Sequence, residues 1–81
     1  MKTKEAMNLI KEKHESVFKY LEYLTRLCWN AKKTGSREWS EIYSAKIRGS
    51  LDTLERLGVI DHYGACGLYL YLVGENELTG Q

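Results

Sequence analysis

Two cysteines and two histidines are the residues of this chain whose types could support nucleophilic or metal chemistry. A thiol needs a nearby base before it acts as a nucleophile, so Cys28 with either His14 or His62 is one pairing to consider. Cys28 falls on the apolar side of a helical pattern, where a cysteine acts as a small buried hydrophobe. His62 and Cys66 lie four residues apart, and they would share a face only if their segment were helical.

None of the familiar catalytic or metal-binding motifs occurs in the 81 residues. The chain has no GxSxG, no HExxH and no Gly-rich phosphate loop. It also lacks the CxxC pairs of zinc modules, and its Cys and His spacings match none of them. We therefore expect a binding protein and not an enzyme, with no metal and no cofactor.

Basic residues are concentrated in the first two thirds of the chain. Residues 1–51 hold 11 Lys and Arg against 6 Asp and Glu, a net +5, whereas residues 52–81 hold 1 against 5, a net −4. The first part could therefore face an anion such as nucleic acid. The longest apolar run, residues 68–73, is too short to span a bilayer, and the basic N-terminus precedes no signal-type apolar segment. We expect a cytoplasmic protein with reduced thiols.

The strongest pattern is an apolar stripe with a residue every three or four positions, which predicts one amphipathic helix over about 4–33. Such a helix would be about 45 Å long, whereas a compact domain of this size is about 30 Å across. Either the helix bends, or it projects and pairs with another chain, and we favour a homodimer through the N-terminal helix. His14, the one polar residue of the stripe, is interpreted as a hydrogen-bonded or snorkelling core residue, or else as a residue that sets the register at a subunit interface. The stripe residues expected at this interface are Met7, Ile10, His14, Val17, Leu21 and Leu24.

A linker over 34–36 separates this helix from a second helical region over about 37–57, which ends at Gly58. That region could be one helix folded back antiparallel on the first. It could also be a helix-turn-helix that breaks near Ser44, with Ser44 capping the second part. The sequence leaves both interpretations open.

The C-terminal part alternates Leu and Tyr between glycines, which is typical of a strand. We predict a short β-hairpin over about 59–73 whose turn is residues 64–67. A helix capped by Asp61 is the competing interpretation, because short apolar runs are ambiguous. In the hairpin, Tyr69 and Tyr71 would share an exposed face suited to a protein contact. Residues 75–81 are expected to fray, and the whole chain, 1–81, is predicted to be a single, mainly α domain.

Residues 44–60, a Leu-rich helix ending in Leu-Gly-Val-Ile, resemble the recognition helix of winged helix-turn-helix domains and the exit that follows it. The resemblance covers residues 37–74, and it makes residues 68–73 the second strand of the wing. It implies that the first half of the helix enters the major groove of DNA while nearby basic residues contact phosphates. The implied DNA contacts are Lys32, Lys33, Arg37, Ser44, Lys46, Arg48 and Ser50.

Two functions follow as hypotheses from these features. The first, which we favour because it makes a claim about particular residues, is a winged-helix-like regulator that binds duplex DNA. The second is a protein-binding inhibitor or adaptor of the kind that phages and mobile elements encode, which covers the surface of a host protein such as a defence protein. A formal net charge of only +1 suits the second hypothesis. Neither involves a membrane.

Overall fold

Four α-helices make up the structure, a computed structural model that describes residues 1–74. They are α1 (Thr3–Lys13), α2 (Glu15–Lys33), α3 (Arg37–Arg56) and α4 (His62–Leu72). Helices α2 and α3 form a closely packed hairpin, and α4 packs against both α1 and α3. The mainly α prediction is confirmed, and residues 1–74 contain no strand. The tail predicted to fray, 75–81, lies outside the described residues.

The N-terminal stripe is carried by two helices, which meet at His14. This residue adopts φ −140° and ψ 61°, outside the helical region. Its backbone N–H still donates to the carbonyl of Ile10, at 2.8 Å, and its own carbonyl accepts from Phe18, at 3.0 Å. The bend lets α1 pack on α4, and the longest dimension of the molecule is 34 Å, too short for a straight helix of about 45 Å. The helix predicted over about 4–33 is thus two helices.

The second helical region is one helix, Arg37–Arg56, folded back on α2. Ser44 lies inside it, where its hydroxyl donates to the carbonyl of Glu41 at 3.1 Å, so it caps no new helix. Gly58 follows the helix with φ 79°, a left-handed conformation that glycine adopts without the steric cost of a side chain. The antiparallel interpretation and the predicted stop at Gly58 are both confirmed.

The β-hairpin predicted over about 59–73 is wrong, because residues His62–Leu72 form α4. The competing interpretation holds: Asp61 caps the helix, and its Oδ1 accepts the backbone N–H of Gly64 at 2.7 Å. Leu and Tyr are both largely apolar, so their alternation did not mark a buried and a solvated face. In the helix, Leu68 is buried while Leu70 is only half-buried.

The glycines expected to form a turn instead let α4 approach α1 closely. A Cβ placed on Gly67 would overlap the hydroxyl of Thr3, and one on Gly64 would lie 3.1 Å from the Cβ of Ala6. Small residues let two helix backbones come together where a larger side chain would hold them apart. Gly64 and Gly67 are therefore packing positions of a helix.

A single hydrophobic core joins the four helices. It takes most of its N-terminal members from the apolar stripe, and it includes Ile60, which is 3% exposed in the segment between α3 and α4. The buried hydrophobic residues are Ala6, Ile10, Leu21, Leu24, Cys28, Ala31, Ile47, Leu51, Leu54, Ile60, Ala65, Leu68 and Val73.

The cap of α4 makes the stability of the fold depend on pH in the acid range. The amino group of Met1, 2.8 Å from Oδ2, and then the N–H of Gly64 lower the pKa of Asp61 below its ordinary 3.8. Because the folded-state pKa is the lower one, the carboxylate stabilises the fold above about pH 3.8, and this stability is lost as the pH falls through the folded-state pKa. Asp61→Asn should therefore lose less stability than the wild type on acidification.

Urea denaturation midpoints measured from about pH 5 down to about pH 2 test this dependence. Asn is itself a good cap, so the variant should keep α4. Asp52→Asn, which removes an exposed carboxylate from α3, is the control. Identical acid slopes for Asp61→Asn and the wild type would contradict the role assigned to this carboxylate.

Candidate functional site

The two basic residues at the centre of the DNA-binding prediction point to opposite sides of α3. Residues two positions apart on a helix project about 200° from each other, and Ile47 between them is fully buried. The guanidinium of Arg48 lies over the ring of Tyr69 on α4, 5.2 Å from its centroid. Lys46 lies on the far side of the helix, so one DNA groove could not receive both side chains from the same direction.

Lys32 holds the end of α4. Its ammonium group donates to the carbonyl of Val73 and lies 5.0 Å from the centroid of the Trp29 indole ring. The indole N–H of Trp29 donates to the carbonyl of Leu72 at 3.1 Å. The last carbonyls of a helix have no partner within the helix. Both side chains therefore stabilise the C-terminus of α4, a role that the DNA prediction did not anticipate.

The other predicted DNA contacts do not gather into one basic surface. Lys33 is exposed near the end of α2, and Arg37 is exposed with its Nε 3.7 Å from the carboxylate of Glu41. The hydroxyls of Ser44 and Ser50 both donate to backbone carbonyls of their own helix. The seven residues are spread around α2 and α3 and face several directions.

The positions expected at a homodimer interface mostly belong to the core of the single chain. Ile10, Leu21 and Leu24 are each at most 3% exposed, so a second chain could not reach them without a rearrangement of the helices. His14 is exposed at the bend between α1 and α2. Met7 and Val17 are partly buried and pack against the same core.

Tyr69 and Tyr71 also do not form the shared face that a strand would have given them. Two positions apart on α4, they project about 200° from each other. Tyr69 faces Arg48, while Tyr71 lines a groove with Phe18 and Trp29 of α2. Both rings are half-buried, so the fold uses much of their surface for packing.

A different set of large side chains is exposed on α2. Tyr20 and Tyr23 are 45% and 50% exposed, and the half-buried Leu27 follows at the same helical spacing. Residues three, four and seven positions apart lie on one side of a helix. These three residues therefore form a continuous stripe beside the buried residues of α2.

A matching stripe lies on α3. Trp39 and Ile42 are 54% and 42% exposed, and the rings of Trp39 and Tyr43 stack with centroids 5.8 Å apart and planes inclined by 27°. Trp39 projects about 180° from Arg48 around the helix, and so points away from α4. The same relation holds on α2 between Tyr20 and Trp29, which also faces α4.

Both stripes point away from α4, and from the packing of α2 on α3 we infer that they adjoin on this side of the hairpin. The thiol of Cys28 reaches the carbonyl of Ser40, at 3.6 Å, and this contact sets Leu27 of α2 opposite the turn that carries Trp39 and Tyr43. We call this surface the aromatic face. Its members are Tyr20, Tyr23, Leu27, Trp39, Ile42 and Tyr43.

The charges that flank the aromatic face are mainly basic. Lys19 and Arg26 lie one helical turn to either side of Tyr23. Lys46 lies one turn beyond Ile42, and the acidic Glu38 precedes it. Lys19 is paired with Glu15 on its own helix, at 3.1 Å. The surface is therefore a large apolar area with a modest positive border.

The sequence contained a signal for this face. The apolar positions of α2 and α3 are more numerous than one buried stripe requires, since a helix packed on one side buries a band only somewhat over 100° wide. Tyr20 and Leu27 widen that band on α2, as Trp39 and Ile42 do on α3. The extra width of the apolar bands on α2 and α3 indicates a second apolar surface outside the core.

Two further findings concern metal sites and membrane-spanning helices in residues 1–74. This part of the chain contains no group of three or more His, Cys, Asp and Glu residues placed to hold a metal ion. Its helices are each too short or too polar to cross a membrane.

The chain matches no protein-family model, no curated protein and no solved structure. The resemblance to winged helix-turn-helix domains therefore has no support from a family model. In addition, the residues expected to form the second strand of the wing belong to the helix α4. The aromatic face of α2 and α3 is thus the surface whose composition points most directly to a function.

Proposed function

We propose that this protein is a protein-binding module that contacts its partner through the aromatic face. The observation that supports it is the exposure of Tyr20, Tyr23, Trp39 and Ile42, between 42% and 54%, on the hairpin of α2 and α3. Tyr and Trp are enriched at protein interfaces because they bury much area at little conformational cost. Contiguous exposed apolar surface on a small domain is typical of a binding site.

The partner we infer is a different protein that presents an apolar surface with acidic residues around it. A two-fold dimer would place the aromatic face against itself and bring equivalent basic residues, such as Lys46 and Arg26, close together. A partner with carboxylates at these places would instead pair with them. This agrees with the adaptor or inhibitor hypothesis, in which the module acts by covering a surface of another protein.

The test compares a face variant with a matched surface variant. Tyr23→Ala with Trp39→Ala removes two exposed rings from the face, and Tyr63→Ala removes a ring that is 78% exposed at the start of α4. Affinity capture with the wild type identifies a candidate partner, and titration calorimetry with that purified partner follows. We expect the face variant to bind at least tenfold more weakly, a loss of about 1.4 kcal/mol or more, and Tyr63→Ala to bind as the wild type does.

Equal affinity of the face variant and the wild type would contradict the proposal. So would self-association: light scattering that shows a dimer in the wild type and a monomer in the face variant would assign the face to a second copy of the chain. Circular dichroism of all three proteins should show the same helical content, because the substituted rings are exposed.

DNA binding stays a prediction, and the spread of its expected contact residues does not favour it. It has its own test, an electrophoretic shift of random duplex DNA at low salt. Binding that falls steeply with added salt and is weakened by Lys46→Glu would favour DNA as the partner over a protein.

A further inference from the structure

Three side chains outside the aromatic face form a hydrogen-bonded series at the junction of α3 and α4. The Sγ atom of Cys66 lies 3.5 Å from Nε2 of His62, and Nδ1 of the same imidazole lies 3.3 Å from Oε1 of Glu55. Cys66 is exposed, as is the His62 ring, whereas the Glu55 side chain is 32% exposed. A thiol, an imidazole and a carboxylate in this order are the parts of an activated cysteine.

The carboxylate determines which imidazole nitrogen can act as a base. An ionised carboxylate only accepts hydrogen bonds, so Nδ1 of His62 carries the proton that it donates to Glu55. The lone pair of Nε2 is then directed at the thiol of Cys66. When Nε2 takes the thiol proton, Glu55 stabilises the resulting imidazolium. The reactive species of a cysteine is the thiolate, which forms when Nε2 takes this proton.

The thiol opens onto a shallow hollow of about 370 Å³ between α3 and α4. This is the lower end of the size range of small-molecule sites. Arg48, Asp52, Glu55 and Tyr69 line it together with Cys66 and His62. The carboxylate of Asp52 is paired with Arg56, at 3.2 Å, and that of Glu55 contacts His62. The guanidinium of Arg48, which lies over the Tyr69 ring, can pair with a carboxylate through two parallel hydrogen bonds. Because both lining carboxylates already have partners, the guanidinium of Arg48 is the charge that the hollow offers to an anionic group.

We propose that Cys66 is a thiol–disulfide exchange site for small disulfides that bear carboxylates. His62 takes the thiol proton, and the Cys66 thiolate attacks one sulfur of the disulfide. A sulfur–sulfur bond to Cys66 forms as the bond within the small disulfide breaks. The leaving thiolate receives the proton from His62. Cys66 is oxidised to a mixed disulfide, and the departing half is reduced to a thiol.

The product should remain a mixed disulfide. The chain has two cysteines, and the other, Cys28, is fully buried between α2 and α3, where its thiol donates to the carbonyl of Ser40. No second thiol of the same chain can reach Cys66 without unfolding of the core, so an intramolecular disulfide cannot replace the adduct. The modification would add negative charge to the α3–α4 side of the molecule, opposite the aromatic face.

The experiment uses oxidised glutathione as the probe and the full chain in its native state. Intact mass spectrometry measures the rate of adduct formation at neutral pH, and peptide mapping locates the adduct. We expect one adduct, on Cys66, with Cys28 as the internal unreactive control. His62→Gln should slow the reaction at least tenfold and change its pH profile, and Glu55→Gln should slow it less.

A neutral reagent, hydroxyethyl disulfide, distinguishes the recognition of carboxylates by Arg48 from the activation of the Cys66 thiol by His62. Arg48→Met should slow the reaction with oxidised glutathione and leave the reaction with hydroxyethyl disulfide unchanged. An unaltered rate and pH profile in His62→Gln would overturn the activation of Cys66. Equal slowing of both reagents by Arg48→Met would overturn the recognition of carboxylates, and an adduct on Cys28 would overturn the assignment of the site.

Discussion

Leu68→Ala should lower the free energy of unfolding by about 2–5 kcal/mol, the range for removal of a large buried aliphatic side chain. Leu68 is 1% exposed and belongs to the core that α4 shares with the other helices. Small domains commonly have only about 5–15 kcal/mol of stability in total. The variant should therefore be partly unfolded at temperatures where the wild type is fully folded.

Leu70→Ala is the matched control, because the same substitution occurs two residues away on the same helix. Leu70 is half-buried on the side that lines the α3–α4 hollow, so its loss should cost less than about 2 kcal/mol. Urea denaturation followed by circular dichroism measures both values. Similar losses from the two variants would contradict the helix, since a strand would place both leucines on one buried face.

Gly67→Ala should destabilise the protein, although alanine is the better helix former. The new Cβ would overlap the hydroxyl of Thr3, and overpacking of this kind costs about 1–3 kcal/mol. The gain in helix propensity offsets up to about 1 kcal/mol of it. Thr3 is only 4% exposed, so α1 must shift before the hydroxyl can move aside.

A double-mutant cycle tests whether the Thr3 hydroxyl is the cause of this destabilisation. In a Thr3→Ala background the hydroxyl is absent, and the remaining Thr3 Cβ lies 3.5 Å from the added methyl group, an ordinary contact. There, Gly67→Ala should become neutral or stabilising by up to about 1 kcal/mol. Gly49→Ala is the control within a helix: a Cβ there meets no atom within 4 Å, so it should stabilise the wild type.

Thermal or urea unfolding of the single and double variants measures the coupling. If Gly67→Ala changed stability by the same amount with and without the Thr3 hydroxyl, α4 would not cross α1 at Gly67. That outcome would also remove the physical reason given for the two glycines of α4.

The local ends of two helices could be predicted because their cause is local. Gly35 and Gly58 follow α2 and α3 with φ of 76° and 79°, a conformation that favours glycine whatever surrounds it. The buried stripe of α2 could also be predicted, because apolar residues spaced with a period of 3.6 lie on one side of a helix. Residues such as Leu21 and Leu24 accordingly lie in the core.

The bend at His14 and the helical conformation of α4 could not be predicted from local signals in the sequence. No Pro or Gly marks position 14, and the chain turns there because α1 packs on α4, a contact between segments far apart in sequence. The run over residues 68–73 is apolar at every position, so it carries no period of its own. Tertiary contacts of α4 decide its conformation: Thr3 and Ala6 approach the glycines that precede the run, and the indole of Trp29 donates to the carbonyl of Leu72 near its end.

The sites show the same division between local and tertiary causes. The sequence alone established a mainly α chain with an apolar stripe along its N-terminal helices, and it placed His62 and Cys66 four residues apart. Only the tertiary structure decided that Ile47 is buried and that Arg48 lies over Tyr69. It also decided that two stripes adjoin as one aromatic face and that Glu55 reaches His62. Spacing along a helix determines which residues share a side, but the packing of one helix on another determines which of those sides meet.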